Sequence, residues 1–324
     1  MFSVASMKQQ TYGISAGAIC PSDGCRAYEY MGVHREGDGF VFRVWAPHAQ
    51  AAFAVGDFNS WGESAPMVRT GADGIWECKI SCRDFGQGSL YKFKLKVDGQ
   101  ELYRADPYAL MCENGGQGAS RFFESSYSPK DGGWLDHRAV SNVPVSIYSV
   151  DLSSECRRAD GSYSSCADVA NTIAHRAKTL GYTHVELNSV FESAPDGGVT
   201  GFFAPSSRYG DPDGLYALID YLHRSGVGVI IGWSPLSFSR HERGLALYDG
   251  HPLYGDGSES ARFDLSSVFV RSFLISNAIF WVDRYHADGL RVHCTAEITE
   301  DAKNLFLCIK EELARSFPGV LFIS

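Results

Sequence analysis

Side chains that could do chemistry are plentiful in this 324-residue chain, but few are spaced for a recognisable task. Nine cysteines, Cys20, Cys25, Cys78, Cys82, Cys112, Cys156, Cys166, Cys294 and Cys308, include no Cys-x-x-Cys pair, and their number is odd. Ten histidines are scattered without zinc-ligand spacing, so no structural metal and no cofactor is expected. Reduced thiols in a cytosolic protein account for this usage. His293 beside Cys294 is better read as packing at a strand end than as a metal site. Three carboxylates lie near strand ends. Glu186 and Glu192 flank one strand candidate, and Glu297 follows His293 by four residues. Each also has a structural role open to it, Glu186 in a polar contact and Glu297 at the next helix start. Aromatic residues reach 13% of the chain, enough to build stacking surfaces. Trp61 closes the turn Gly56-Asp57-Phe58-Asn59-Ser60 and either stacks on a ligand or packs. Trp45, inside a strand candidate, reads as core.

Composition narrows the partners. Lys and Arg number 29 against 38 Asp and Glu, a formal net charge of −9. No basic face is visible, so no nucleic-acid partner is expected. The N-terminal MFSVASMKQQ lacks a long apolar core after a basic start, so no signal peptide is expected. No run approaches the roughly 18 apolar residues of a membrane span. A cytoplasmic protein with no membrane partner follows.

The elements that must position these residues change character along the chain. Residues 1–27 form a leader of weak periodicity, expected to pack loosely. Residues 28–125 carry short period-two strands, at Phe40–Trp45, Ala51–Val55, Ile75–Ile80 and Leu90–Val97, with turns between them. That is the pattern of an all-β sandwich. Residues 126–143 read as a linker. From Pro144 the pattern alternates strand and helix: a buried strand Val145–Val150, helix Tyr163–Leu180, strand Thr183–Val190, helix Leu215–Ser225, strand Val227–Ile231, helix Val268–His286, strand Gly289–Val292, helix Glu300–Ser316 and strand Val320–Ile323. Unbroken alternation predicts parallel βα units over 144–324.

Several linked motifs then resemble one family. Gly39–Pro47 (GFVFRVWAP), Gly56–Trp61 (GDFNSW) and Ala105–Ala109 (ADPYA) resemble the carbohydrate-binding module that precedes the barrel in glycogen branching enzymes. Gly181–Val190 (GYTHVELNSV), Val199–Gly210 (VTGFFAPSSRYG), Gly228–Phe238 and Asn277–Val292 (NAIFWVDRYHADGLRV) follow in that family's order. The resemblance covers the chain from about Arg26. It implies a fold of a β-sandwich carbohydrate-binding module followed by a parallel (β/α)8, TIM-type barrel. It also implies an activity that cuts an α-1,4-glucan and rejoins the piece through an α-1,6 bond.

The same resemblance exposes departures. The family chemistry uses a carboxylate nucleophile and a carboxylic acid about 5–5.5 Å apart. The nucleophile closes a segment reading DGLRVD, and here Asp288–His293 reads DGLRVH, so His293 holds that position. The third-strand pattern Asp-Trp-Val-Pro-x-His-Phe here reads GWSPLSF, which puts Gly232 for the Asp and Ser237 for the His. Arg291 alone stays in place. The family's Trp-Gly-Tyr-Gln element is absent before Val199, and the general acid would follow the strand in which this sequence stops. The segment from Pro144 holds about 180 residues against roughly 250 in a complete barrel, and only about five strands are counted. Either another chain covers the open edge at Val320–Ile323, or the sequence is a piece of a longer protein. In the module, Trp61 and Lys92 match sugar-contacting residues of the related module of AMP-activated kinase β subunits. A second platform Trp is replaced by Glu101. The expectation is therefore a catalytically inactive homologue that binds α-glucan through Trp61 and Lys92. The alternatives are a fragment or unusual member of an active branching enzyme, and a partner docking on an intact homologue through the open edge.

Overall fold

In a computed structural model, residues 24–115, 118–138, 144–257, 261–294 and 298–324 are described. Most of the leader, and Glu297, lie outside them. Period-two alternation builds two antiparallel sheets from β1 (Gly32–Glu36), β2 (Gly39–Trp45), β3 (Ala51–Gly56), β4 (Val68–Thr70), β5 (Ile75–Ser81), β6 (Leu90–Val97), β7 (Gln100–Arg104) and β8 (Ser120–Arg121). One sheet runs β1-β2-β5-β4 and the other β3-β6-β7, with β8 also on β6. The inward residues of β2 and β6 meet at the centre. There Phe42 packs edge-on against Phe85 and Tyr91, with centroids 4.8 and 5.5 Å away. Aromatic edges placed against faces favour this packing beyond the burial itself.

The second layer is a parallel sheet in the order β15-β14-β13-β10-β9. Its strands are β9 (Ile147–Asp151), β10 (His184–Asn188), β13 (Gly228–Trp233), β14 (Gly289–Val292) and β15 (Leu321–Ile323). β10 pairs with β9 in parallel register, His184 opposite Ile147, as the βα reading requires. Helices α3 (Cys166–Thr179), α4 (Pro212–Arg224), α5 (Val268–Tyr285) and α6 (Glu300–Ser316) connect the strands. Preceding them are α1 (Gly132–Arg138) and the short α2 (Leu152–Glu155).

Four expectations are corrected. Alternation is not unbroken, because an antiparallel pair, β11 (Phe191–Ser193) and β12 (Val199–Pro205), lies between β10 and α4. The first parallel strand is not buried. Val145 is exposed and only Val150 in β9 is buried, since β9 is an edge. Helix α3 starts at Cys166 and not Tyr163, because Ser165 and Asp168 form a reciprocal capping box and Tyr163 pairs with Arg157 instead. The described end of the leader is tightly packed. Gly24–Glu29 is a 3-10 helix against α5, with Ala27 fully buried. The Tyr28 N–H donates to Ser276 Oγ at 3.0 Å, and its hydroxyl to Asp283 Oδ2 at 2.7 Å.

The two layers are joined by specific contacts. Trp45 stacks on Phe269 at 4.4 Å, so it packs the sandwich against the start of α5. Arg104 donates to the carbonyls of Tyr248 and Leu247, and the Tyr248 hydroxyl donates to the Ala105 carbonyl. The segment after the sandwich is also fixed. His223 of α4 sits between Asp131, at 2.8 Å, and Asp288, at 2.9 Å. Trp134 of α1 stacks on the same imidazole and donates its indole N–H to Asp288 Oδ1. Burial pulls the His223 imidazole down, but hydrogen bonds and charge from the two carboxylates outweigh it and raise it above the ordinary 6.5. Burial likewise pushes both carboxyls up, and their bonds outweigh it and lower them.

Candidate functional site

In a parallel βα sheet the reactive groups sit at the C-terminal strand ends. Register puts Asp151 of β9 beside Asn188 of β10, and Gly232 of β13 beside Arg291 of β14. Period-two alternation aims Glu186 and Asn188 to one face, with Val185 and Leu187 on the other. His293 follows β14 on the face of Arg291.

These residues converge on one carboxylate. Glu186 is 1% exposed. Its Oε2 accepts from Arg291 Nη1 at 3.0 Å, and its Oε1 lies 2.6 Å from His293 Nε2. Both cationic-type side chains are 45% exposed, so the pair caps a buried acid from the solvent side. Asn188 joins the same floor, donating to Ser149 Oγ at 3.0 Å. A Cβ on Gly232 would run into Asn188 Oδ1 and sit 3.1 Å from His293 Nε2. The space of a larger side chain at 232 is thus filled by Asn188 and His293. Ser237 stands apart, exposed on a loop whose backbone bridges Arg262. Glu192 is engaged elsewhere, accepting from the Ser207 N–H at 2.6 Å. Sequence reasoning placed Glu186 in a polar contact. It missed Asn188, whose signal was its position two residues after Glu186 on the same strand face.

The sandwich residues separate. Lys92 lines a groove of about 430 Å³ between the sandwich and the loop after β13, with Arg104, Glu242 and Arg243. Burial pulls its ammonium below the usual 10.5; Glu113 and Glu242 act against this, while Arg243 and Arg104 add to it. Trp61 does not line that groove. It is half-buried, with φ +62°, and its N–H donates to the Gly56 carbonyl at 2.9 Å. Glu101 is held by Lys94 at 2.7 Å, and Lys94 also pairs with Glu63 at 2.6 Å. Glu63, Lys94 and Glu101 therefore form a charged ladder on this face of the sandwich. Arg104, Glu242 and Arg243 went unnoticed in the sequence because only long-range packing brings them to Lys92.

Among the described residues no cluster of three or more His, Cys, Asp or Glu is arranged to hold a metal ion. No helix among them is long and apolar enough to cross a membrane.

A β-sandwich followed by a parallel βα sheet places the chain among multidomain proteins of α-amylase-like fold. Solved structures agree on the fold. A putative α-amylase from Salmonella typhimurium matches with TM-score 0.72 at 21% identity, covering 90% of this chain and 48% of that one. The pullulanase of Paenibacillus barengoltzii, solved with maltohexaose and α-cyclodextrin, matches with TM-score 0.71 at 20% identity, covering 97% of this chain and 56% of that one. Residues 30–109 match carbohydrate-binding module 48, the isoamylase N-terminal domain. The 1,4-alpha-glucan branching enzyme GlgB of Rubrobacter xylanophilus is 40% identical over 298 residues, 84% of this chain and 41% of that protein. The GlgB of Fusobacterium nucleatum is 33% identical over 92% of this chain and 50% of its own length. The chain belongs to the 1,4-α-glucan branching enzyme family, and it spans about half or less of the length of these relatives.

Proposed function

We propose that this chain is an α-glucan-binding member of the branching enzyme family that does not carry out the double displacement with its own residues. The observation that carries the reading is the bond of 2.6 Å between His293 and Glu186 at the position where the family resemblance puts the nucleophile. Retaining transfer needs a carboxylate free to attack the anomeric carbon. An imidazole at 293 offers none, and the nearest carboxylate is already engaged on both oxygens. Gly232 and Ser237 remove two further polar groups of the family pattern.

Binding rests on the module. Trp61 supplies an aromatic face for a sugar ring, and Lys92 a donor for hydroxyls. With the ladder of Glu101 and Lys94 in place of a second aromatic, affinity is set near millimolar, about −4 kcal/mol. The partner is a neutral glucan polymer, which suits the formal charge of −9 better than any polyanion. The nine cysteines without a Cys-x-x-Cys pair support a cytoplasmic setting. The half-exposed Leu321–Ile323 at the sheet edge supports a second reading, in which further strands from an intact homologue or a continuing chain complete the barrel.

The test pairs two assays on the purified chain. Retention on a glycogen column with no new α-1,6 ends on amylose supports the reading. New α-1,6 ends above a blank overturn its catalytic half, and absence of retention its binding half.

A further inference from the structure

Three cations from three segments meet at one groove. Lys92 of β6, Arg104 of β7 and Arg243 of the loop after β13 line a cavity of about 430 Å³ between the sandwich and that loop. Each is set by the structure around it. Lys92 alternates with Lys94 and Lys96 on one face of β6, while Tyr91, Phe93 and Leu95 on the other are buried. Arg104 Nε and Nη2 donate to the Tyr248 and Leu247 carbonyls at 2.7 and 2.9 Å, which fixes the guanidinium. The Arg243 stem lies across Gly118, where a Cβ would fall 2.6 Å from Arg243 Cδ and φ is +71°. The loop that carries Arg243 is itself tied down. Ser239 Oγ donates to Asp196 Oδ2 at 3.0 Å, the His241 N–H to Ser239 Oγ at 3.1 Å and the Arg243 N–H to His241 Nδ1 at 3.3 Å.

The two carboxylates on the groove wall leave it cationic. Glu101 is bound by Lys94 at 2.7 Å and lies 3.8 Å from Lys96, and Glu242 is exposed. Burial lowers the Lys92 ammonium and the Arg104 guanidinium, and at Lys92 the two arginines add to this against Glu113 and Glu242. An anion placed among the three cations would relieve their repulsion. This positive spot belongs to a chain whose formal net charge is −9, so it is not a sample of the general surface. Tyr103, 43% exposed, adds an aromatic ring to the same wall.

We propose that this groove binds a phosphorylated sugar, a hexose monophosphate, with the phosphate among Lys92, Arg104 and Arg243 and the ring against Tyr103. A phosphate monoester carries roughly −1.5 to −2 charges near neutral pH and three strong acceptor oxygens, which suits several converging donors better than one carboxylate does. The planar fork of each arginine matches the spacing of phosphate oxygens. The cavity volume is that of a small-ligand pocket, roughly 300–1,000 Å³. The site is separate from Trp61, which does not line the groove. It shares only Lys92 with the glucan reading above, so its test is made at Arg243 and Tyr103.

The experiment is isothermal titration calorimetry of the full chain at low ionic strength, with glucose 6-phosphate, inorganic phosphate and glucose as titrants. The expected result is one site for glucose 6-phosphate, competed by inorganic phosphate, and no binding of glucose. Arg243→Gln keeps a stem over Gly118 and removes the charge, and it should weaken glucose 6-phosphate about tenfold, the loss of one charge-assisted bond. Arg69→Gln, at an exposed position of β4 outside the groove, should bind as the parent does. Tyr103→Ala should weaken glucose 6-phosphate several-fold and leave inorganic phosphate unchanged. No binding of glucose 6-phosphate to the parent, glucose bound as tightly as its phosphate, or equal affinities in Arg243→Gln and Arg69→Gln overturn the proposal. Parental affinity for glucose 6-phosphate in Tyr103→Ala overturns the placement of the ring. The parent's titrations decide the proposal even where a variant does not fold, and retention on glycogen, which reads Trp61, is measured apart from them.

Discussion

His293 Nε2 lies 2.6 Å from Glu186 Oε1, and Arg291 Nη1 lies 3.0 Å from Glu186 Oε2. Both oxygens of a buried carboxylate are thereby held by side chains at or just after β14. Bonds of this kind to a carboxylate are short and strong, and they fix where it points. Glu186 is 1% exposed beneath these two side chains, so a sugar carbon could reach either oxygen only after one of them moved aside. The relationship therefore favours a structural role for Glu186, in keeping with the proposed reading.

His293→Asp should not produce branching activity. The new carboxylate would face Glu186 across the same short gap and remove one of its two donors, and Gly232 and Ser237 would still depart from the family pattern. Loss of the bond to a buried acceptor should destabilise the fold by about 1–3 kcal/mol. Iodine staining of amylose should stay at the level of a blank, with a lowered thermal midpoint. A fall in staining with time would show that position 293 alone had blocked catalysis.

Gly232→Ala tests whether Asn188 and His293 fill the space beside β13. The added Cβ would run into Asn188 Oδ1. Overpacking of this kind costs roughly 1–3 kcal/mol. Asn188→Ala should remove most of that cost, so the double variant should be more stable than the sum of the singles by about 1 kcal/mol. Additive losses in urea unfolding would mean that the two positions do not meet.

His223 makes stability depend on pH in a defined direction. Its folded pKa is raised above the ordinary 6.5, so its contribution is complete below that value and is lost as pH rises through the folded pKa. Asp131 and Asp288 are lowered below 3.8, so theirs is present above that value and lost as pH falls through their folded pKa values. The network is therefore strongest between about pH 4 and 6.5. His223→Gln should lose about 1–3 kcal/mol, since it removes one partner from each carboxylate while Asp131 keeps His286 and Asp288 keeps Trp134, Arg138 and the Val229 N–H. The midpoint of the parent should fall on the alkaline side, and the variant should lack that fall. A fall of equal size in the variant would assign it to another group.

How much of this was legible in the sequence follows from the range of the interactions. Strands β2, β3, β5 and β6 and helices α5 and α6 were readable within a residue or two, the strands and α6 because apolar residues recur along them and α5 because its apolar run is long. Helix α4 begins at Pro212, three residues before the expected start, because Asp211 caps it and proline fits the first turn. The exposure of Val145 was not readable, since an apolar run does not say whether its strand has neighbours on both sides. Trp45 was readable as packing, but its partner Phe269 was not, because 224 residues separate them. At the site, His293 announced itself by breaking a motif. Asn188 did not, because its importance comes from the absent side chain at Gly232.

Trp61→Ala tests the binding half of the function. Trp61 follows a turn in which Asn59 fixes the backbone, its Oδ1 accepting from the Gly56 N–H at 2.9 Å and its amide donating to the Ala54 and Gly62 carbonyls. That scaffold does not use the indole, so truncation should leave the far-ultraviolet dichroism unchanged. The positive φ at position 61 strains alanine and tryptophan alike, so the backbone gives no reason for a change of fold. With no second aromatic beside it and Glu101 held by Lys94, the indole would carry most of the apolar contact with a sugar ring. Retention on immobilised glycogen should fall to that of a non-binding control. Lys92→Ala should weaken it less, by about 1 kcal/mol, the value of a hydrogen bond to a neutral hydroxyl. Undiminished retention of Trp61→Ala alongside a lost Lys92→Ala would move the glucan from the turn into the groove that Lys92 shares with Arg104 and Arg243.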